Sequence, residues 1–393
     1  MTQGGTFIFY IAVILAATGL SKIAYSKKYG RYKLIFLFMA IMLLAIVAGI
    51  RYDVGADWLQ YYSGPELIGN GLVERSFDKG SYEIGYVLLC KLVYYSGLRG
   101  TTLLFIYGML TYLFLFMTID KYSEDISVPF AIFTYGCLYY LVSFNITRQA
   151  LAISISMYAI SQLDVDFWKS EGVQQTSIHA KIKHNIKFFF WGIVSFLFHQ
   201  ASIICLLALP ICLFMRKRNW MRLFSLGVVL IVVVNFKMFT RLAILFTGSG
   251  SFQWYFIGVV GEQGSWLKYL LRYLPMLLFI WMAYDLLAKK NKIYDIYNLS
   301  LVGLIVNSLS VVTGTEIERI CFPFLYFIVI MMGFAYKNCR KRIRLFGFTI
   351  RLTNGFVTIF KVAFSLFIIW TMWYIFFYSG SYHVVPYKTV LFR

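Results

Sequence analysis

Apolar stretches long enough to cross a hydrocarbon core recur from one end of this chain to the other. That recurrence limits the fold more than any single motif. A crossing helix needs about 20 predominantly apolar residues, and the run from Leu34 to Ile50 is almost unbroken. In lipid every main-chain polar group needs a partner inside the protein, so only helices and closed barrels span. The runs are continuous, not alternating segments of about ten residues, which points to helices. Of 393 residues 60% are hydrophobic and 14% charged, against about 25% charged in soluble domains. A soluble core is excluded. The expectation is an all-α integral membrane protein, a single polytopic domain over 1–393. Phe7 to Leu20 lacks a basic segment before it and a small-residue cleavage site after it, so it reads as a retained first span.

Charge placement orients the spans. The formal net charge of +20 would suit a nucleic acid if the basic residues shared one face. They sit instead in short loops at 22–33, 181–187, 216–222, 289–292 and 337–351. Cytoplasmic loops carry the Lys/Arg excess, so no nucleic-acid partner is expected and all five loops are placed inside. Spans then fall near 6–24, 34–50, 102–119, 128–144, 148–163, 222–239, 269–287, 296–313, 317–336 and 357–377. The stretch 187–215 is flanked by basic loops on both sides yet short for two full crossings. A bent hairpin with His199 near its apex fits, with Pro210 helping to bend it. Residues 84–97 are too short to cross and read as a partial, re-entrant helix. The total is about twelve transmembrane helices plus that partial one, with extracytoplasmic loops near 51–83 and 240–268.

Where the second span ends stands a polar island, Arg51-Tyr52-Asp53-Val54-Gly55-Ala56-Asp57-Trp58. With this topology Arg51, Asp53, Asp57, Glu83, Arg148, Arg272, Glu316, Glu318 and Arg319 collect toward the outer face. A charge near the bilayer midplane costs about 2.5–3.5 kcal/mol, so such groups face a cavity or a partner. The bland alternative is snorkelling or salt-bridged residues at span ends. It explains one arginine well, and four arginines with several carboxylates poorly. Arginine suits a diphosphate because its planar fork donates two parallel hydrogen bonds and stays charged. A nearby carboxylate can accept a hydroxyl proton. Trp58, Tyr61 and Tyr62 offer flat faces for sugar rings, or serve as interfacial belt residues. His199 lies at membrane depth, where an ionisable group is a functional candidate.

Two other signals carry less. Asp164-Val165-Asp166 has the D-x-D form of metal-dependent nucleotide-sugar transferases, but it lies on the cytoplasmic side in a short loop. Six cysteines show no metal-ligand spacing, so they read as small core residues. No metal and no cofactor are expected.

Several short stretches together resemble the EpsG/Wzy-type family of bacterial polysaccharide repeat-unit polymerases. They are the island with Tyr61, Tyr82-Glu83-Ile84-Gly85-Tyr86, Asn145 to Ala152, Phe198-His199-Gln200-Ala201-Ser202, Arg319 and Pro386-Tyr387. Trp58 departs from the tyrosine often found there, keeping the ring and losing a hydroxyl. The resemblance implies a multi-pass enzyme of the bacterial plasma (inner) membrane with its active site on the extracytoplasmic side. Such enzymes build O-antigen (hence lipopolysaccharide), capsule or exopolysaccharide. It implies polyprenyl-diphosphate-linked oligosaccharides as donor and acceptor, membrane lipid around them, and a chain-length regulator and a flippase as companions. In that chemistry Arg51, Arg148, Arg272 and Arg319 would bind diphosphate, and Asp57 or Glu83 would deprotonate the attacking sugar hydroxyl. His199 would orient a phosphate or carboxylate, and Trp58 and Tyr61 would hold sugar. A ligase moving glycan to lipid A core or protein, and a lipid-linked sugar flippase, are the alternatives. A flippase should line its charges along a midplane path, often between related halves, and no inverted repeat is apparent.

Overall fold

The computed structural model describes residues 1–72, 82–169, 178–215, 266–287, 289–313, 315–339, 342–345, 348–351 and 353–392, and these are overwhelmingly helical. Among them five helices are long and apolar enough to cross a bilayer: Gln3–Ala24, Gly30–Gly49, Gly100–Lys121, Arg319–Asn338 and Asn354–Tyr378. They coincide with the expected spans at 6–24, 34–50, 102–119, 317–336 and 357–377. The expected span at 222–239 and most of the loop 240–268 lie outside the described residues. One element departs from an all-α chain. Within the basic loop 337–351, β1 (Arg342–Leu345) pairs antiparallel with β2 (Phe348–Arg351).

Helix α1 (Gln3–Ala24) is opened by Thr2, whose hydroxyl accepts the Gly5 N–H at 3.1 Å. This satisfies one of the donors a helix leaves unpaired at its start. Helix α2 (Lys33–Gly49) packs against both α1 and α5 (Gly100–Lys121). Between them in sequence lie two short helices, α3 (Trp58–Gly69) and α4 (Ile84–Tyr95). The 12 residues of α4 reach about 18 Å at 1.5 Å per residue, well short of the roughly 30 Å hydrocarbon core. By length alone α4 falls short of a crossing. It buries Gly85, Tyr86, Cys90 and Val93 against the protein and exposes Ile84, Leu88 and Leu92.

The expected span at 128–144 is not one regular α-helix. Helix α6 (Val128–Tyr135) runs on as a π turn, Gly136–Tyr140, and a 3-10 turn, Val142–Phe144. After Asn145 and Ile146 the chain restarts as α7 (Thr147–Ser161). Such changes of pitch rotate successive faces relative to one another. Here they leave the start of α7 wrapped by protein. Helix α7 packs on α5 and on α10 (Ile186–Phe198). Two short pieces, α8 (Val165–Lys169) and α9 (Ile178–His184), lie between them.

The hairpin expected at 187–215 is present. Helix α10 stops at His199, and a 3-10 helix, Gln200–Leu207, folds back along it, placing Leu206 and Cys205 beside Gly192. The bend falls at His199 and not at Pro210. That proline sits in the first turn of α11 (Ala208–Met215), where a missing N–H is tolerated. The rest comprises α12 (Trp266–Trp281), α13 (Tyr284–Leu287), α14 (Asn291–Thr313), α15 (Thr315–Leu325), α16 (Ile328–Asn338) and α17 (Asn354–Trp373). Helix α15 packs along α14 and also touches α7.

The C-terminal segment doubles back over the island. Tyr52 N–H donates to Lys388 O at 2.9 Å, Gly55 N–H to His383 O at 2.8 Å, and Val390 N–H to Ile50 O at 3.0 Å. The Tyr387 hydroxyl donates to Val47 O at 2.9 Å. A large core joins most helices. A smaller one, centred on Trp58, Tyr61, Tyr86, Tyr107, Leu151 and Ile155, ties α3, α4, α5 and α7 together.

Candidate active site

Glu83 is the last extended residue before α4 (φ −60°, ψ 143°), so its side chain projects from a helix end instead of a helix face. Its two carboxylate oxygens are divided. Oε2 accepts from Arg148 Nη1 at 2.6 Å, and Oε1 lies 2.9 Å from His199 Nδ1. An ionised carboxylate is acceptor-only, which fixes the proton on Nδ1 and leaves Nε2 as an acceptor in the neutral imidazole. Side-chain exposures of 11% for Glu83, 19% for Arg148 and 29% for His199 make the imidazole the most open member. Burial would raise the Glu83 pKa, but the His199 hydrogen bond and the Arg148 charge outweigh it. The carboxyl is held below the ordinary glutamate value.

Three chain segments far apart in sequence make this cluster, and the packing that joins them is specific. His199 has extended backbone (φ −161°, ψ 121°) at the hairpin apex, and its carbonyl accepts the Ser202 hydroxyl at 2.7 Å. Gly85 allows α4 to approach that apex. A Cβ there would stand 2.7 Å from Phe198 Cδ1 and 2.9 Å from Leu197 O. Arg148 lies in the first turn of α7, with its guanidinium over the rings of Tyr86 at 4.9 Å, Tyr82 at 5.3 Å and Tyr61 at 5.9 Å. The Arg148 N–H donates to the Tyr61 hydroxyl at 3.4 Å. Aromatic faces attract a guanidinium through the ring quadrupole, so the rings help to hold the cation in place.

Other predicted residues occupy different positions. Arg51, expected to grip a diphosphate, is 1% exposed. Its Nη1 donates to Ala48 O at 2.7 Å, and its Nη2 to Phe144 O at 3.0 Å and Thr147 Oγ1 at 3.1 Å. Trp58 and Tyr61, expected to present ring faces to sugar, are 5% and 3% exposed. Trp58 stacks on Tyr62 with centroids 4.6 Å apart and donates Nε1–H to Arg51 O at 3.0 Å. Asp57 precedes α3, and its N–H donates to Asn145 Oδ1 at 3.4 Å. Asp53 pairs with Lys388 at 2.7 Å. Arg319 offers its carbonyl to Gln149 Nε2 at 2.8 Å, which docks α15 beside the residue following Arg148. Arg272, on α12, lies over the Tyr273 ring at 5.0 Å, and the Tyr273 hydroxyl accepts from Asn307 of α14.

The Asp164-Val165-Asp166 stretch is a local turn. Asp164 Oδ1 accepts the Phe167 N–H at 3.1 Å, its Oδ2 lies 3.2 Å from His184 Nε2, and Asp166 accepts from Asn291. Tyr82 and Tyr86, which were not among the expected site residues, line the cluster through Arg148. Their signal was their spacing about Glu83, one just before it and one near the start of the helix it opens.

Residues 34–170 match the model of the EpsG family. The resemblance read from short motifs is therefore borne out over that segment. No curated protein and no solved structure matches the chain. The EpsG segment contains Arg51, Asp57, Glu83 and Arg148, whereas His199, Arg272 and Arg319 lie beyond it. The third member of the cluster thus comes from outside the matched region and is brought in by the α10 hairpin.

Proposed function

We propose that this protein is a membrane glycosyltransferase that polymerises lipid-linked glycan repeats. It transfers a growing glycan from polyprenyl diphosphate to the non-reducing terminal sugar of a second lipid-linked repeat. The reaction takes place at the extracytoplasmic face of the bacterial inner membrane. The EpsG match over 34–170 supports the polymerase class. The observation that carries the reading is the convergence of Arg148, Glu83 and His199 at one point.

The chemistry follows from the division of roles among the three. The donor's anomeric carbon–oxygen bond to diphosphate breaks as the acceptor hydroxyl attacks. Negative charge grows on the departing diphosphate, and Arg148 offsets it with a preorganised guanidinium. The hydroxyl proton passes to His199 Nε2, while Glu83 holds the Nδ1–H and stabilises the imidazolium that forms. Glu83 serves this role better than that of a free base, because both its oxygens are engaged and its proton affinity is reduced. Arg319, docked one residue along from Arg148, and Arg272 are proposed to meet the second diphosphate.

The decisive assay supplies purified protein in lipid nanodiscs with a defined polyprenyl-diphosphate repeat and compares it with Arg148→Ala. Wild type should build a ladder of polymer, and Arg148→Ala should build none while accumulating normally. Movement of intact lipid across a bilayer, or glycan transfer to lipid A core or protein without polymer, would remove this reading.

A further inference from the structure

The polar island is built as a holder for the start of α7, and Arg51 is its centre. We propose that Arg51 is a positioning residue that fixes the first turn of α7, so that Arg148 faces Glu83. The functional half of this proposal rests on the reading of Arg148 given above.

The island and the nearby Tyr61 reach the break between α6 and α7 at several points. The Arg51 guanidinium donates to Phe144 O and to the Thr147 hydroxyl, and so grips the residue before Arg148. Asp57 N–H donates to Asn145 Oδ1. Gly55, at φ +94°, lets the chain pass so close that a Cβ would stand 2.9 Å from Phe144 O. Tyr61 accepts the Arg148 N–H itself. Arg51 also lies over the Phe144 ring at 4.6 Å.

Among the described residues its hydrogen-bond partners are two carbonyls and a hydroxyl, with no carboxylate. A cation held this way is expensive to bury. An uncharged side chain would be a cheaper way to fill the space, which argues that the fork itself is needed. The fork spans two chain segments at once, from Ala48 at the end of α2 to Phe144 and Thr147. A lysine ammonium, a point donor on a flexible stem, cannot bridge them in a fixed geometry. The C-terminal segment braces the same region through the Arg51–Thr389 bridge and the Tyr387 bond to Val47.

The test uses the full-length protein in nanodiscs with Arg51→Lys, Arg148→Lys and the double variant, read in two ways. By amide hydrogen exchange, Arg51→Lys should speed exchange at Ala150 and Leu151 at least tenfold, with α5 amides unchanged. Unchanged exchange in the first turn of α7 overturns the proposal, whether or not the protein polymerises glycan. By kinetics, Arg51→Lys should lower kcat/KM about tenfold, and the double variant should be no worse than Arg148→Lys alone. Losses that multiply would mean that Arg51 acts independently of Arg148, which also overturns it. Should Arg51→Lys fail to accumulate, Thr147→Val removes one acceptor and is held to the same two criteria with smaller shifts. A wild type without polymerase activity sinks the polymerase reading alone, because the exchange result still decides the positioning claim.

Discussion

Arg148 and Glu83 stand 65 residues apart in the chain, and their side chains meet at 2.6 Å. The pair is partly buried, with exposures of 19% and 11%. Removing one partner from a buried pair is far more damaging than the pair's net worth, because the other charge is stranded. The relationship is also directional. Arg148 is caged by tyrosine rings on one side, and Glu83 is shared with His199 on the other. Each side chain therefore has little freedom to turn away.

The division of Glu83 between two partners predicts unequal roles for the two candidate carboxylates. Glu83→Gln should reduce polymerisation by about a hundredfold, since it loses the charge that orients and stabilises His199. Asp57→Asn should change it by less than about threefold, because the Asp57 contact to Asn145 runs through the main chain. Ladder assays on the two variants measure this. An Asp57→Asn defect as large as that of Glu83→Gln would return Asp57 to the chemistry.

Acid should weaken the fold through Glu83. Its carboxyl is held below the ordinary value of 4.5 in the folded protein, so the unfolded chain binds that proton more readily. The stabilisation is complete above about pH 4.5 and fades as pH falls through the lowered folded value. The Tm gap between wild type and Glu83→Gln should stay constant from neutral pH down to about pH 5 and close below that. A gap independent of pH would mean that the ion pair does not stabilise the protein.

Gly85 is the contact on which the α4–α10 junction depends. Valine there would push α4 off Phe198 and Leu197 and draw Glu83 from His199. Gly85→Val should abolish polymer, with a stability loss of about 1–3 kcal/mol from overpacking. Denaturation and ladder assays on the same preparation would show it, and full activity would mean that the His199–Glu83 contact is dispensable.

The orientation can be read chemically. All six native cysteines are buried, so a single introduced thiol reports its own side. If the loop after α3 faces outward as proposed, membrane-impermeant maleimide added outside intact cells should label Asn70→Cys and leave Lys28→Cys unlabelled. The reverse pattern would invert the topology and place the Arg148 cluster toward the cytosol.

Much of the architecture was written in local pattern. Continuous apolar runs dictated helices, because main-chain groups in lipid must be satisfied within each segment. The length of 84–97 predicted a helix too short to cross, and α4 has 12 residues. The basic loops flanking 187–215 implied a return bend near His199, which is where the chain turns. Composition and spacing determine these features residue by residue, with no need for distant partners.

What the sequence by itself determined was the kind of fold and the pool of charged residues from which a site could be drawn. Which of them meet was decided by tertiary structure alone. Arg51 and Arg148 are the same residue type, both beside span ends, yet one is buried among carbonyls and the other faces a carboxylate. No local signal separates them, because the partner of each lies on a segment many residues away. The break between α6 and α7, the close approach at Gly85 and the hairpin apex at His199 made that choice. They fix helix positions through packing, and a side chain's chemistry is set by what the packing brings within 3 Å of it.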